Sequence, residues 1–183
     1  MQTQTPIRAQ PLSSAVITGC QRGDRDAQRQ LYESCHHRIH QLMVRMVGPD
    51  EAPDLTQRAF LQVFRKIAQF AGHAKLETWV YRVAANEALQ HLRRARRHPA
   101  ASLEWEPVDP RPDRSQQLEQ RELLNGSMQR LEPELRCMFL LRQVDELSYR
   151  EIAQTLGIPE GTVGSRLNRA RSELKRHLLE RGR

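Results

Sequence analysis

The stretch Ser148-Tyr-Arg-Glu-Ile-Ala-Gln-Thr-Leu-Gly-Ile-Pro-Glu-Gly-Thr-Val-Gly-Ser-Arg-Leu-Asn-Arg-Ala-Arg171 can fold in few ways. Ser148 can accept a backbone N–H and start a short helix, and Glu151 three residues on completes a capping box. Ile152, Ala153 and Leu156 form its inward face, with Ala153 small enough to let a second helix approach. Gly157 supplies the turn where a side chain would clash. Thr162 then caps a longer helix with Val163 and Leu167 pointing inward. The spacing predicts a helix-turn-helix over about residues 148–168, a unit that lays its second helix in the major groove of DNA. Ser165, Arg166, Asn168, Arg169 and Arg171 are left on or near the outer surface. Arginine reads guanine bidentately, asparagine reads adenine, and any of these side chains can hold a phosphate. A plain helical hairpin with a solvated charged face is the alternative. The coincidence of cap, small residue, turn glycine and basic face favours DNA.

Composition agrees with a polyanionic partner. The chain has 183 residues and a formal charge of +7, enough for one ordinary domain or two small ones. Aromatic residues make up only 5% and alternating Val/Ile/Thr runs are absent, so the fold class expected is all-α. No run reaches the apolar length of a membrane span, and the polar, proline-containing N-terminus is not a signal peptide. Cys20, Cys35 and Cys137 show no paired spacing, which suggests a reducing cytoplasm. No nucleophile–base pair, metal cluster or phosphate loop is present, so neither catalysis nor a cofactor is expected.

Residues 1–12 read as a disordered tail. From residue 13 to 97 the chain is nearly all helix-compatible. Asp24 can cap a helix carrying Leu31, Ile39, Leu42, Met43, Met46 and Val47, ended by Gly48-Pro49. Leu55, Ala59, Phe60, Val63, Phe64 and Ile67 give the next apolar face. Phe70 to Lys75 breaks that helix, and Thr78 starts another with Val80, Val83, Ala84 and Leu92 inward. Residues 98–114 carry Pro99, Pro107, Pro110 and Pro112 among acidic side chains and read as a flexible linker. A second helical block spans 115–183, with helices at about 115–130 and 133–144 before the helix-turn-helix. Two small helical domains on a tether are predicted.

The helix starting at Thr78 carries a second basic surface. At about 100° per residue, Asn86, Arg93 and Arg97 fall within roughly 60° of Arg82. Trp79 sits beside this stripe. A basic helix with an aromatic at one end can follow a backbone while the ring stacks on an exposed base, or Trp79 is simply core. Cys35-His36-His37 and His40 form a further cluster, with His36 and His40 on one face. With no second ligand pair evident, a helix surface is the reading and no metal is expected.

These residues closely resemble the extracytoplasmic-function (ECF) class of bacterial RNA polymerase sigma factors, in the sigma-70 family. The resemblance runs through Asp54-Leu-Thr-Gln57 to Phe60 and from Phe70-Ala-Gly72 to Asn86. It resumes from Leu131 through Leu147-Ser-Tyr-Arg-Glu-Ile-Ala to Arg171. It implies that residues 13–97 are similar to region 2 and residues 115–183 to region 4. Asp54, Leu55, Gln57 and Phe60 would then belong to the helix that binds the clamp of the largest polymerase subunit, with Phe60 filling the core. Lys75, Trp79, Arg82, Asn86, Arg93 and Arg94 would lie along the −10 element, the Gly72–Lys75 loop surrounding an extruded base. Thr162, Ser165, Arg166, Asn168, Arg169, Arg171 and Lys175 would serve the −35 duplex, while region 4 packs on the flap of the second-largest subunit. Core RNA polymerase, promoter DNA and an anti-sigma factor are the partners implied, without membrane insertion. Pro53, Arg58 and Gly164 depart from the family's usual residues, and Gly164 removes a phosphate contact. A stand-alone helix-turn-helix regulator is the alternative function.

Overall fold

The first elements show how local signals place the helices. The computed structural model of the chain describes residues 12–97, 116–143 and 146–181. Helix α1, Ser14–Gln21, is capped by Ser13, whose hydroxyl accepts the Val16 N–H. Helix α2, Arg25–Val47, is capped by Asp24, whose carboxylate accepts the N–H groups of Asp26 (2.8 Å) and Ala27 (3.3 Å). The two helices cross at Gly19, where a Cβ would sit 2.6 Å from that of Ala27. Only glycine permits that approach. Gly48, at φ 96°, ends α2. Helix α3, Ala52–Lys66, carries Pro53 in its first turn, where the missing N–H has no consequence. It tightens into a 3₁₀ turn, Ile67–Gln69, before helix α4, Leu76–Arg97. Helix α4 thus begins two residues before Thr78.

Leu31, Ile39, Met43 and Met46 of α2 are buried together with Leu55, Ala59 and Val63 of α3 and Val80, Ala84 and Ala88 of α4. The second half contains α5, Gln116–Gln129; α6, Pro133–Gln143; α7, Tyr149–Leu156; and α8, Glu160–Arg181. Its centre is Leu131, Met138, Leu141, Ile152, Val163 and Leu167. The capping box forms as expected: Ser148 Oγ accepts the Glu151 N–H, and Glu151 Oε2 accepts the Ser148 N–H at 2.9 Å. Gly157 ends α7 in the left-handed conformation, φ 65°. Thr162 is not the cap expected of it. Helix α8 starts at Glu160, and the Thr162 hydroxyl donates to the Pro159 carbonyl at 2.8 Å. No strand occurs among the described residues.

The two helical units pack on one another. Helix α4 lies against α7, and the end of α2 lies against α5 and α6, so buried side chains of both halves form one continuous cluster. Arg136 of α6 is buried in this seam. Its guanidinium donates to the carbonyl of Met46 in the last turn of α2 (2.6 Å), and to those of Gln129 (2.7 Å) and Leu131 (3.2 Å) after α5. These carbonyls belong to helix ends, which lack intrahelical donors and carry partial negative charge. Burial, with the charge of Arg96, pushes the Arg136 pKa down to about 10, so it remains a cation at neutral pH. The tail reading of 1–11 and the linker reading of 98–114 fall outside the described residues, Pro99, Pro107, Pro110 and Pro112 included.

Candidate nucleic-acid interface

Helix α8 is held by Val163, Leu167, Ala170 and Leu174, all buried. Their spacing turns Ser165, Arg166, Asn168, Arg169, Arg171 and Lys175 outward, and all six are exposed, with Thr162 half-buried behind them. Ser165, Asn168, Arg169 and Arg171 on this face have local partners. Ser165 Oγ donates to the Thr162 carbonyl, Arg171 Nη1 donates to Asn168 Oδ1 at 3.2 Å, and Arg169 pairs with Glu173 at 2.7 Å. The hydrogen bond and charge of Glu173 hold the Arg169 guanidinium above its ordinary pKa. Such solvent-exposed pairs are weak enough to exchange for a phosphate.

Helix α4 presents the second basic surface. Arg82, Asn86, Arg93 and Arg94 are exposed, as is Lys75 just before the helix. Trp79 is 8% exposed and its indole tilts against the Phe70 ring at 5.6 Å. Both readings of Trp79 therefore have a basis, because its remaining edge lines a polar hollow of about 390 Å³. Arg82, Asn86, Glu87 and Gln90 form one wall of that hollow, and Lys66 and Gln69 form the other. Of these residues the sequence singled out Trp79, Arg82 and Asn86, and Glu87, Gln90, Lys66 and Gln69 were missed. Lys66 and Gln69 face α4 only because the chain reverses through the 3₁₀ turn and the Gly72 loop. Gln90 lay within reach of the helical-wheel argument, about 80° from Arg82. Lys75 and Arg93 already have acidic neighbours: Lys75 Nζ lies 3.9 Å from Glu151, and Arg93 donates to Glu134 at 2.9 and 3.3 Å.

On α3, Asp54 and Gln57 are exposed, whereas Leu55 and Phe60 are buried. The Phe60 ring contacts Tyr32 (4.7 Å) and Phe64 (6.2 Å). Exposed apolar surface beside Gln57 comes from Leu61, 50% exposed, and Tyr32, neither of which the sequence singled out. His36 and His40 do share a face, their rings stacked 5.9 Å apart. Burial, then the charges of His40 and His37, hold the His36 imidazole below its ordinary pKa. Burial raises the thiol pKa of Cys35 and Cys20, and Cys20, Cys35 and Cys137 form no disulfide with one another. No group of three or more His, Cys, Asp or Glu able to hold a metal occurs among the described residues. No helix among them is long and apolar enough to cross a membrane.

Residues 31–98 match the family description "Sigma-70 region 2", and residues 121–174 match "Sigma-70, region 4". The chain is 33% identical over 177 residues to the RNA polymerase sigma-H factor of Pseudomonas aeruginosa, covering 89% of this chain and 92% of the relative. It is 31% identical to the ECF RNA polymerase sigma-E factor of Escherichia coli K12, over 87% of this chain and 90% of that one. For ECF sigma factor SigM of Mycobacterium tuberculosis the identity is 36%, over 85% and 79%. Among solved structures, the fold resembles the sigma factor RpoE of Bartonella quintana in complex with the anti-sigma factor NepR. That match has a TM-score of 0.67 at 23% identity, covering 85% of this chain and 98% of that one. It also resembles CnrH in complex with the cytosolic domain of CnrY, with a TM-score of 0.68 at 20% identity over 90% and 95%. With two sigma-70 regions in order and relatives of this identity along nearly the whole length, the chain belongs to the ECF class of RNA polymerase sigma factors.

Proposed function

We propose that the outer face of α8 reads the −35 element as duplex, while α4 and the hollow beside it receive the melted −10 strand. As a sigma factor the chain directs promoter-specific transcription initiation, and it is not an enzyme. The observation that supports the residue assignment is the pairing of two exposed basic helical faces with different surroundings. The α8 face is convex and open, suited to a major groove. The α4 face borders a hollow lined by three amide side chains, the charged Lys66, Arg82 and Glu87, and one indole edge, suited to an unpaired base on its backbone. In this reading Arg166, Arg171 and Lys175 hold phosphates, and Ser165, Asn168 and Arg169 meet base edges, with Thr162 at the helix start. Along the −10 strand Lys75, Arg82, Arg93 and Arg94 hold the backbone. Asn86 and the Trp79 edge meet a base, and Lys66, Gln69 and Gln90 join them.

Core RNA polymerase is the partner that supplies the chemistry. Asp54 and Gln57 of α3 make polar contacts to the clamp of the largest subunit, flanked by Leu61 and Tyr32, while buried Leu55 and Phe60 support them from behind. Region 4 rests on the flap of the second-largest subunit. The complexes in which related folds were solved support an anti-sigma factor as a further partner. A reducing cytoplasm is the compartment that suits three thiols without disulfides.

The two DNA roles are separable on holoenzyme reconstituted with core polymerase. Asn168→Ala should weaken binding to a closed duplex promoter yet leave initiation on a template already melted at −10 close to native. Arg82→Ala with Asn86→Ala should impair both templates. Equal loss from both sets of variants on both templates would refute the division of labour between α4 and α8.

A further inference from the structure

We propose that a hollow between the end of α2 and the α5–α6 pair binds a small amphipathic carboxylate, a monoanion with an apolar body. The hollow has a volume of about 730 Å³, within the range of small-molecule sites. It stands apart from the surfaces assigned to DNA and to polymerase, none of whose residues line it. Val44 and Val47 of α2 line it together with Leu124 and Met128 of α5 and Phe139 and Leu140 of α6. Leu124 is 44% exposed, and Val44, Val47 and Phe139 are only half-buried. An apolar occupant would take this surface out of water, which is favourable in proportion to the area covered.

The sign of the ligand follows from one side chain. Among the described residues of the lining, Arg45 alone is charged. Its Nη1 is buried and has no hydrogen-bond partner among the described residues. The Gln129 amide, also in the lining, is already committed: its oxygen accepts from Arg136 Nη1, and its nitrogen donates to the Arg45 carbonyl at 3.4 Å. A guanidinium N–H buried without an acceptor costs free energy that a carboxylate oxygen would recover. The carbonyl end of α2 would repel an anion, but its Met46 and Arg45 carbonyls already accept from Arg136 and Gln129. The buried Arg136 cation behind Gln129 favours the same sign of ligand. Only one guanidinium lines the hollow, so a carboxylate matches it better than a phosphate dianion. The side-chain amides of Gln41, Asn125 and Gln143 can donate to the second carboxylate oxygen. An occupant touches helices of both halves and stabilises their packed arrangement by mass action.

The test titrates the full chain with sodium decanoate, well below the concentration at which it forms micelles, and reads calorimetric binding and the melting temperature. Binding should saturate, and the melting temperature should rise with decanoate. Arg45→Met keeps an apolar stem and should weaken binding roughly tenfold or more, the effect of losing a charged hydrogen-bond donor. Arg29→Met removes the same charge from an exposed site about 24 Å away along α2, and should bind as the native chain does. Leu124→Glu sets a carboxylate at the hollow from another helix and should also weaken binding, which keeps the test decisive if Arg45→Met does not fold. Decyltrimethylammonium, with the same tail and the opposite charge, should not saturate. The proposal is overturned if decanoate does not saturate the native chain, if Arg45→Met binds as well as Arg29→Met, or if the cationic amphiphile binds equally. A hollow covered by protein instead would show as lost stability in ligand-free Leu124→Glu with no response of the native chain to decanoate, and that result overturns it too.

Discussion

Replacing Arg136 by alanine should cost the protein about 3–5 kcal/mol of folding stability, because it leaves three carbonyls at a buried seam without their donor, each worth about 1–3 kcal/mol. The magnitude follows from its surroundings. The fall of its pKa to about 10, from burial and then from the charge of Arg96, corresponds to a cost to the cation of about 3 kcal/mol at 1.36 kcal/mol per unit. Against this stand three carbonyl hydrogen bonds from a charged donor, each contributing about 1.5–3 kcal/mol. The bonds outweigh that cost, so the native arginine is stabilising on balance. Alanine forfeits that balance and leaves carbonyls at the ends of α2 and α5 without a donor at a buried seam. For a chain of this length the loss corresponds to a melting temperature lower by roughly 6–20 °C. Urea denaturation of the native protein and of Arg136→Ala, with Arg136→Lys as a charge-retaining intermediate, measures it. A loss below about 1 kcal/mol in the alanine variant would show that water satisfies these carbonyls equally well, and the seam would not depend on the guanidinium.

Two glycines of the helix-turn-helix should respond oppositely to alanine. At Gly157 the left-handed backbone, φ 65°, makes alanine cost about 1 kcal/mol although its Cβ would meet nothing. At Gly164, inside α8, an added Cβ meets only Tyr149 at an ordinary 3.6 Å, so alanine should stabilise by about 0.5–1 kcal/mol. Thermal melts of the two variants check the sign of each. Acid should weaken the seam through Glu134 and Glu151. Both have folded pKa values below the ordinary one, so their contribution is complete above an unfolded value of about 4.3 and is lost as pH falls through the lower folded values. Between pH 7 and pH 3 the native protein should therefore lose more stability in urea melts than Glu134→Gln with Glu151→Gln, and equal losses would contradict the linkage.

The helix-turn-helix was legible because its signals are local. Ser148 and Glu151 cap each other across three residues, and Gly157 stands where only a left-handed turn fits. The exposed face of α8 followed from the period of Val163 and Leu167. Thr162 misled because a threonine before an apolar helix looks like a cap, whereas the helix had already begun at Glu160, directly after Pro159. The start of α4 was placed late for a related reason: Thr78 resembles a cap, but its hydroxyl is directed to Glu151 in another part of the chain. What sequence could not supply was tertiary. Lys66 and Gln69 join the α4 hollow only through chain reversal. Arg136 lies within the stretch from Leu131 that carries the family resemblance, yet nothing local says that its partners include a carbonyl 90 residues away. The contact between the two halves depends on pairs such as Arg93 with Glu134, which no periodicity encodes.

Reconstituted transcription tests the central claim most directly. The purified chain is added to core RNA polymerase freed of other sigma factors, on templates drawn from its own genome. Discrete transcripts should appear only when the chain is present, starting downstream of sites protected at both −35 and −10. A folded, pure preparation that neither binds the core enzyme nor yields a specific start on any template would contradict the account.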